Sequence, residues 1–349
     1  MYEPGRPIEE VARELGLKPA LIIKLASNEN ALGPSPAALA AIHRALKTVH
    51  LYPDGGGFYL RQALAKKLGV EMDNIVLGTG SNEIIEFLYH AFVGPGDEVV
   101  AGDKAFVIYS IMAKMFQAQC IEVPFKGHTH DLDAMREAIT PKTKLVFVAN
   151  PNNPSGTRVT NAELDRFIRS LPTHVICVLD EAYIEFLDDP PPSVEYAMKH
   201  NVILLRTFSK IVGLAGLRIG YGVAQKECIA LLQKVRQPFN VNAVAQAGAL
   251  AALDDVDHIR KTKKLTREGL EYLEKEFKKL KLEFVPSCAN FILVNVGDGD
   301  KVFRGLQQRG VIVRPMRGYK MPEWVRVTVG LPEENRKFIS ALRAELNRE

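Results

Sequence analysis

The chain is poor in the residues that build cross-links: its four cysteines (Cys120, Cys177, Cys228 and Cys288) lie far apart and form no C-x-x-C pair. That spacing suggests neither a disulfide framework nor a thiolate zinc site, and it suits a reducing compartment. Surplus charge is nearly absent as well. Basic residues number 45 against 41 acidic ones, a balance of +4, too small for a nucleic-acid footprint yet compatible with an anionic small molecule. No stretch approaches the ~20 apolar residues of a membrane span. The opening MYEPGRPIEEVARELG is polar and acidic where a secretory leader needs a basic start and an apolar core. The expected location is therefore the cytoplasm, with no membrane and no nucleic acid as partner. His128 and His130 alternate in a polar loop, and no H-E-x-x-H cluster accompanies them, so a metal hydrolase is disfavoured and no metal is expected.

What is present is an ordinary globular balance, 47% hydrophobic and 25% charged over 349 residues, which suits about two domains. Between Asn74 and Leu205, short β-rich runs alternate with amphipathic stretches, the pattern of βαβ units on a mostly parallel sheet. The spacing predicts strands at Asn74–Leu77, Glu98–Ala101, Lys144–Ala149, Val175–Leu179 and Val202–Leu205. After Leu253 a charged helix is expected over Thr262–Lys281. Strands at Asn290–Val294, Val311–Arg314 and Val325–Val329 and a closing helix from Glu333 should follow. The expectation is an α/β protein: an N-terminal arm, 1–27, packing with the small domain; a large domain, 28–253, with a mostly parallel sheet flanked by helices; and a smaller α+β C-terminal domain, 254–349.

Four segments carry chemistry. In NIVLGTGSNEIIEF a strand passes through Gly78 and Gly80 into a helix starting near Ser81 and Asn82, where backbone N–H groups can hold a phosphate. A routine turn capped by Ser81 reads equally well, and Glu83 occupies the third glycine position of G-x-G-x-x-G. In VFVANPNNPSGT a strand breaks into a loop whose prolines stiffen it and hold Asn153 in one orientation. VICVLDEAYIEF delivers Asp180 at a strand end with Tyr183 beyond it. A carboxylate there can keep a pyridine nitrogen protonated, and D-E-A-Y also reads as a helix N-cap. ILLRTFSKIVGLAGLRIGYG sets Ser209, Lys210 and Arg218 among glycines. There a lysine can bind an aldehyde, with phosphate donors beside it.

In this order, N-P-x-N-P-S-G, D-E-A-Y and S-K-x-x-G-L-A-G-L-R-I-G-Y resemble the fold-type-I aminotransferases over nearly the whole chain. The resemblance implies pyridoxal 5'-phosphate as cofactor, with Lys210 on its aldehyde, Asp180 on its ring nitrogen, and Asn153 and Tyr183 on its phenolic oxygen. Gly80, Ser81, Asn82, Ser209 and Arg218 would surround its phosphate. Phe106, in DKAFVIYS, falls where the family stacks an aromatic on the ring; Lys104 departs from the family's usual proline, and Phe106 also reads as a core aromatic.

The ends of the chain narrow the resemblance. YEPGRP, with Arg6 where a lysine is usual, and KLASNENALGPSP resemble the opening of histidinol-phosphate aminotransferases, as does LYPDGGGFYLRQALA. On that likeness Tyr52 reaches the cofactor phosphate of the other subunit of a homodimer. Tyr2 and Asn28, together with Asn290, Arg314 and Arg326 from SCANFILV, GVIVRPM and WVRVTVG, approach the substrate. Two guanidinium groups suit a site that takes both a phosphorylated amine and the carboxylates of glutamate and 2-oxoglutarate. Strand-end arginines also make surface ion pairs. An aromatic amino-acid aminotransferase, a threonine-phosphate decarboxylase and a non-catalytic cofactor-binding regulator remain alternatives.

Overall fold

The computed structural model describes residues 6–346, so Tyr2 lies outside the described residues. The strands, in chain order, are β1 (Ile23–Lys24), β2 (Ile75–Gly78), β3 (Glu98–Gly102), β4 (Gln119–Val123), β5 (Thr143–Ala149), β6 (Ile176–Asp180) and β7 (Val202–Thr207). They continue with β8 (Gly220–Val223), β9 (Phe284–Val285), β10 (Phe291–Asn295), β11 (Val311–Ile312), β12 (Arg314–Pro315) and β13 (Trp324–Thr328).

Successive side chains on a strand point to opposite faces, so a run that is apolar at every position needs cover on both. That is the situation in the seven-stranded sheet, ordered β2-β8-β7-β6-β5-β3-β4. Val146, Val148, Cys177, Leu179 and Leu204 enter one core; their neighbours Leu145, Phe147, Ile176, Val178, Ile203 and Leu205 enter a second core on the other face. Strand β8 pairs antiparallel with both β2 and β7, while the remaining pairings are parallel.

A helix over Val256–Lys279 leads to the four-stranded sheet β12-β13-β10-β9. It starts before the expected Thr262 because the Asp255 side chain caps it, accepting from the His258 N–H. The apolar inner face of that sheet packs against Leu273 and Phe277 of this helix and Phe338 of the closing helix Pro332–Leu346. The expected strand Val311–Arg314 is divided: β11 pairs in parallel with β1, and β12 joins β13. The N-terminal segment is thereby tied to the C-terminal part of the chain in a separate two-stranded sheet. No helix among the described residues is long and apolar enough to cross a membrane.

Candidate active site

Parallel strands leave their carboxyl ends on one edge of the sheet, and the turns beyond them form a crevice. Ala149, Asp180 and Thr207 close β5, β6 and β7 there, and all three line a cavity. Its wall also includes Asn28, Gly80, Ser81, Asn82, Phe106, Asn153, Tyr183, Ser209, Lys210, Arg218, Arg314 and Arg326. Segments far apart in the sequence thus converge on one space.

One end of the cavity is built for an anion. The helix Ser81–Phe92 begins after Gly80, whose φ of +76° only glycine adopts readily. Glu83, the residue that interrupts the glycine pattern, stabilises this turn by accepting from the Thr79 N–H at 2.7 Å and from Asn240 Nδ2 at 2.6 Å. A Cβ on Gly80 would stand 2.7 Å from Arg218 Nη2, so the bare backbone is what lets the guanidinium close over the helix start. Arg218 Nη1 lies 3.5 Å from Ser209 Oγ. Asn82 Oδ1 is buried here without a hydrogen-bond partner among the described residues. A helix N-terminus, two hydroxyls and a guanidinium form a donor set matched to a phosphate.

Deeper in, Asp180 Oδ2 accepts from the Tyr109 hydroxyl at 2.7 Å and Oδ1 accepts from the Ala182 N–H at 3.2 Å. Burial raises its pKa against these two bonds. Asp180 ends a strand and caps no α-helix: the chain beyond it makes only a 3-10 turn at Ile184–Phe186. Lys210 Nζ stands 3.3 Å from the Ser27 carbonyl and 5.6 Å from the Tyr183 ring centre. Burial, reinforced by the nearby charge of Arg326, brings its amine down to about 8, which leaves a usable fraction neutral at physiological pH. The Tyr183 hydroxyl accepts from Asn28 Nδ2 at 2.9 Å, and burial pushes it up to about 12.

Arg326, on β13, donates through Nη1 to Asn153 Oδ1 and through Nη2 to the Ala26 carbonyl, and its guanidinium lies 5.2 Å from the Phe291 ring centre. Asn28, at φ +55°, is held by the Thr328 hydroxyl on the same strand.

Two expected site residues lie elsewhere. Asn290 is buried outside the cavity wall, and its Nδ2 donates to the carbonyls of Asn28 and Glu29, so it fixes the loop that carries Asn28. Tyr52 is 84% exposed and stacks on Phe239 with centroids 4.8 Å apart, away from this cavity. Sequence reading missed Ser27, Thr207 and Tyr319, which line the wall, and Tyr109 behind it. Thr207 and Ser27 adjoin recognised motifs and could have been found from them; Tyr319 and Tyr109 look like core aromatics and carry no signal.

The family model for aminotransferase class I and II matches residues 20–342. The histidinol-phosphate aminotransferase of Akkermansia muciniphila is 51% identical over 347 residues, covering 99% of this chain and 96% of that one. That of Moorella thermoacetica is 50% identical, covering 98% and 89%. Among solved structures, the histidinol-phosphate aminotransferase of Sinorhizobium meliloti, crystallised with pyridoxal-5'-phosphate, superposes with a TM-score of 0.91 at 27% identity, covering 99% of this chain and 96% of that one. With a family match over most of its length and near-full-length relatives at half identity, the chain belongs to the class I and II aminotransferases.

Proposed function

We propose that the protein transfers the amino group of L-histidinol phosphate to 2-oxoglutarate, giving imidazole acetol phosphate and glutamate in histidine biosynthesis, with pyridoxal 5'-phosphate as cofactor. The observation that carries this reading is the convergence of Lys210, Asp180, the Gly80–Arg218 anion cradle, Arg314 and Arg326 on one cavity. The relatives at half identity, matched over 96% and 89% of their own length, are both histidinol-phosphate aminotransferases.

The donor set fits the cofactor: an amine for its aldehyde, a carboxylate for its ring nitrogen, and a cradle for its phosphate. When bound, pyridoxal phosphate supplies a carbonyl carbon for the amine and a ring that accepts the electrons released at the substrate carbon. Lys210 Nζ would hold the aldehyde and, when free as an amine, would carry a proton to and from the substrate carbon. Asp180 would keep a proton on the ring nitrogen. Asn153 and Tyr183 would orient the phenolic oxygen. Arg326 and Arg314 take the substrate phosphate in one half-reaction and the distal carboxylate of the keto acid in the other, because both anions accept paired N–H donors.

Tyr52 enters this reading through a homodimer, in which it would reach the cofactor phosphate of the partner. Its exposure supports this, as does the run of exposed apolar side chains around it, Leu46, Val49, Leu51, Phe58 and Tyr59. The division at residues 28 and 254 belongs to the same reading, since the seven-stranded and four-stranded sheets fall on either side of it. So does the cytoplasm, where four free cysteines are at home.

The test is glutamate formation from histidinol phosphate and 2-oxoglutarate, run beside phenylalanine as donor and beside Lys210→Ala. Strong preference for histidinol phosphate with an inactive lysine variant supports the proposal. Preference for phenylalanine would transfer it to aromatic amino acids, and carbon dioxide release from threonine phosphate would replace transamination by decarboxylation.

A further inference from the structure

We propose that Tyr109 is a positioning residue for Asp180, its hydroxyl holding the carboxylate ionised and in one orientation toward the cofactor ring nitrogen. This rests on the role given to Asp180 above. The Tyr109 hydroxyl donates to Oδ2 at 2.7 Å and the Ala182 N–H to Oδ1 at 3.2 Å, so each oxygen is held from the protein side while the carboxylate lines the cavity.

Tyr109 has no freedom to do anything else. It is 1% exposed, and its ring stacks on Phe147 at 4.3 Å and 13°. Phe147 in turn stacks on Tyr89 at 6.0 Å and 14°, and the Tyr89 hydroxyl donates to the Tyr109 carbonyl at 2.6 Å. Three buried rings therefore end in one hydroxyl aimed at one carboxylate. Phenylalanine would fill this core equally well, and a buried hydroxyl left unpaired is destabilising, so the oxygen is explained by its partner. The same short segment presents Phe106 to the cavity, edge-on to Tyr109 at 5.8 Å.

The surrounding charges show what the bond opposes. Burial raises the pKa of Asp180 and the neighbouring Glu181 adds to the rise, while Tyr109, the Ala182 N–H and Lys210 act against it. Tyr183 faces Asp180 from the following loop. Burial and the Asp180 charge keep the Tyr109 phenol far above its ordinary range, so it remains a donor at any working pH. Without the hydroxyl, Asp180 takes up a proton more readily, and the ring nitrogen loses the anion that keeps it protonated.

The experiment compares Tyr109→Phe, Asp180→Asn and, as a packing control on the opposite face of the sheet, Phe167→Leu. In the cofactor-free protein, the infrared band of the protonated Asp180 carboxyl, assigned by its loss in Asp180→Asn, should titrate about one pH unit higher in Tyr109→Phe. In the holoenzyme, kcat should fall about tenfold with KM nearly unchanged, because binding groups are intact. Phe167→Leu should lower the melting temperature and leave both readouts alone. The proposal is overturned if Tyr109→Phe titrates with the wild type, or if its kcat loss is matched by Phe167→Leu at equal loss of stability. If Asp180→Asn keeps full kcat, the role of Asp180 falls and this inference with it. If Asp180→Asn is inactive while Tyr109→Phe matches the wild type, only this inference falls.

Discussion

Arg326 and Asn153 are hydrogen-bonded to each other in the cavity wall, one from the C-terminal sheet and the other from the proline-rich loop after β5. The same guanidinium reaches the Ala26 carbonyl at 2.8 Å, so a group expected to meet substrate is already braced against a group expected to meet cofactor. Lysine cannot make this fork. Arg326→Lys should therefore lower kcat/KM by ~100-fold, about 3 kcal/mol of transition-state stabilisation, with secondary structure unchanged. Steady-state kinetics beside circular dichroism checks it, and a variant within threefold of wild type would contradict the bracing role.

Capture of pyridoxal phosphate by the cofactor-free protein requires a neutral Lys210. Burial lowers this amine to about 8, so the capture rate should climb with pH up to about 8 and level off there instead of near the ordinary lysine value. Stopped-flow absorbance at stepped pH measures this. A rate still climbing tenfold per unit at pH 9.5 would mean an ordinary amine.

Gly80→Ala places a side chain on a backbone at φ +76° and a methyl 2.7 Å from Arg218 Nη2. Local strain of ~1 kcal/mol or more is expected, together with displacement of Arg218. Cofactor affinity should fall by about tenfold, the equivalent of one charge-assisted hydrogen bond. Fluorescence titration with pyridoxal phosphate reads the affinity, and thermal melting of the cofactor-free protein reads the strain.

Glu185 sits near the buried Glu181–Arg206 pair, whose Oε2–Nε distance is 2.8 Å, and burial raises its carboxyl to about 7 from an ordinary 4.5. A raised folded-state value means that its favourable contribution is complete below pH 4.5 and is lost as pH rises through about 7. Glu185→Gln removes that dependence. The variant should gain on the wild type in denaturant midpoint as pH goes from 5 to 8, and parallel curves would count against it.

Arg206→Met leaves Glu181, fully buried, without its cation. Breaking such a pair from one side typically costs about 3–5 kcal/mol, and the melting temperature should drop accordingly. The variant that retains wild-type stability would place Glu181 in a wetter site than its burial indicates.

The central strands were legible because they are short runs apolar at nearly every position, as strands of a sheet covered on both faces are. Strand β8 was not. Its glycines read as a loop, yet they serve packing: a Cβ on Gly220 would meet the Ser81 nitrogen at 2.5 Å, and one on Gly222 would meet Val76 at 3.1 Å. Strand β4 is an edge with exposed Gln119 and weak alternation, and β1 is two residues long, so neither leaves a periodic trace. In the site, residues within compact motifs were readable from order and spacing. Asn290 was named from SCANFILV as a substrate contact, but its hold on the Asn28 loop backbone was not legible, nor was the hydroxyl that Tyr109 carries on what looks like a core ring.

The wall residues Ala26 and Asn28 are bonded to Arg326 and Thr328, each 300 positions further along the chain. During synthesis the N-terminal half of that wall leaves the ribosome long before β13 exists, so the nascent chain carries an open half-site through most of translation. Closing so long a loop is entropically expensive only once, since the penalty grows slowly with length. Enclosure of the cavity is consequently among the last events in the life of the new chain, and it follows release of the C-terminal sheet.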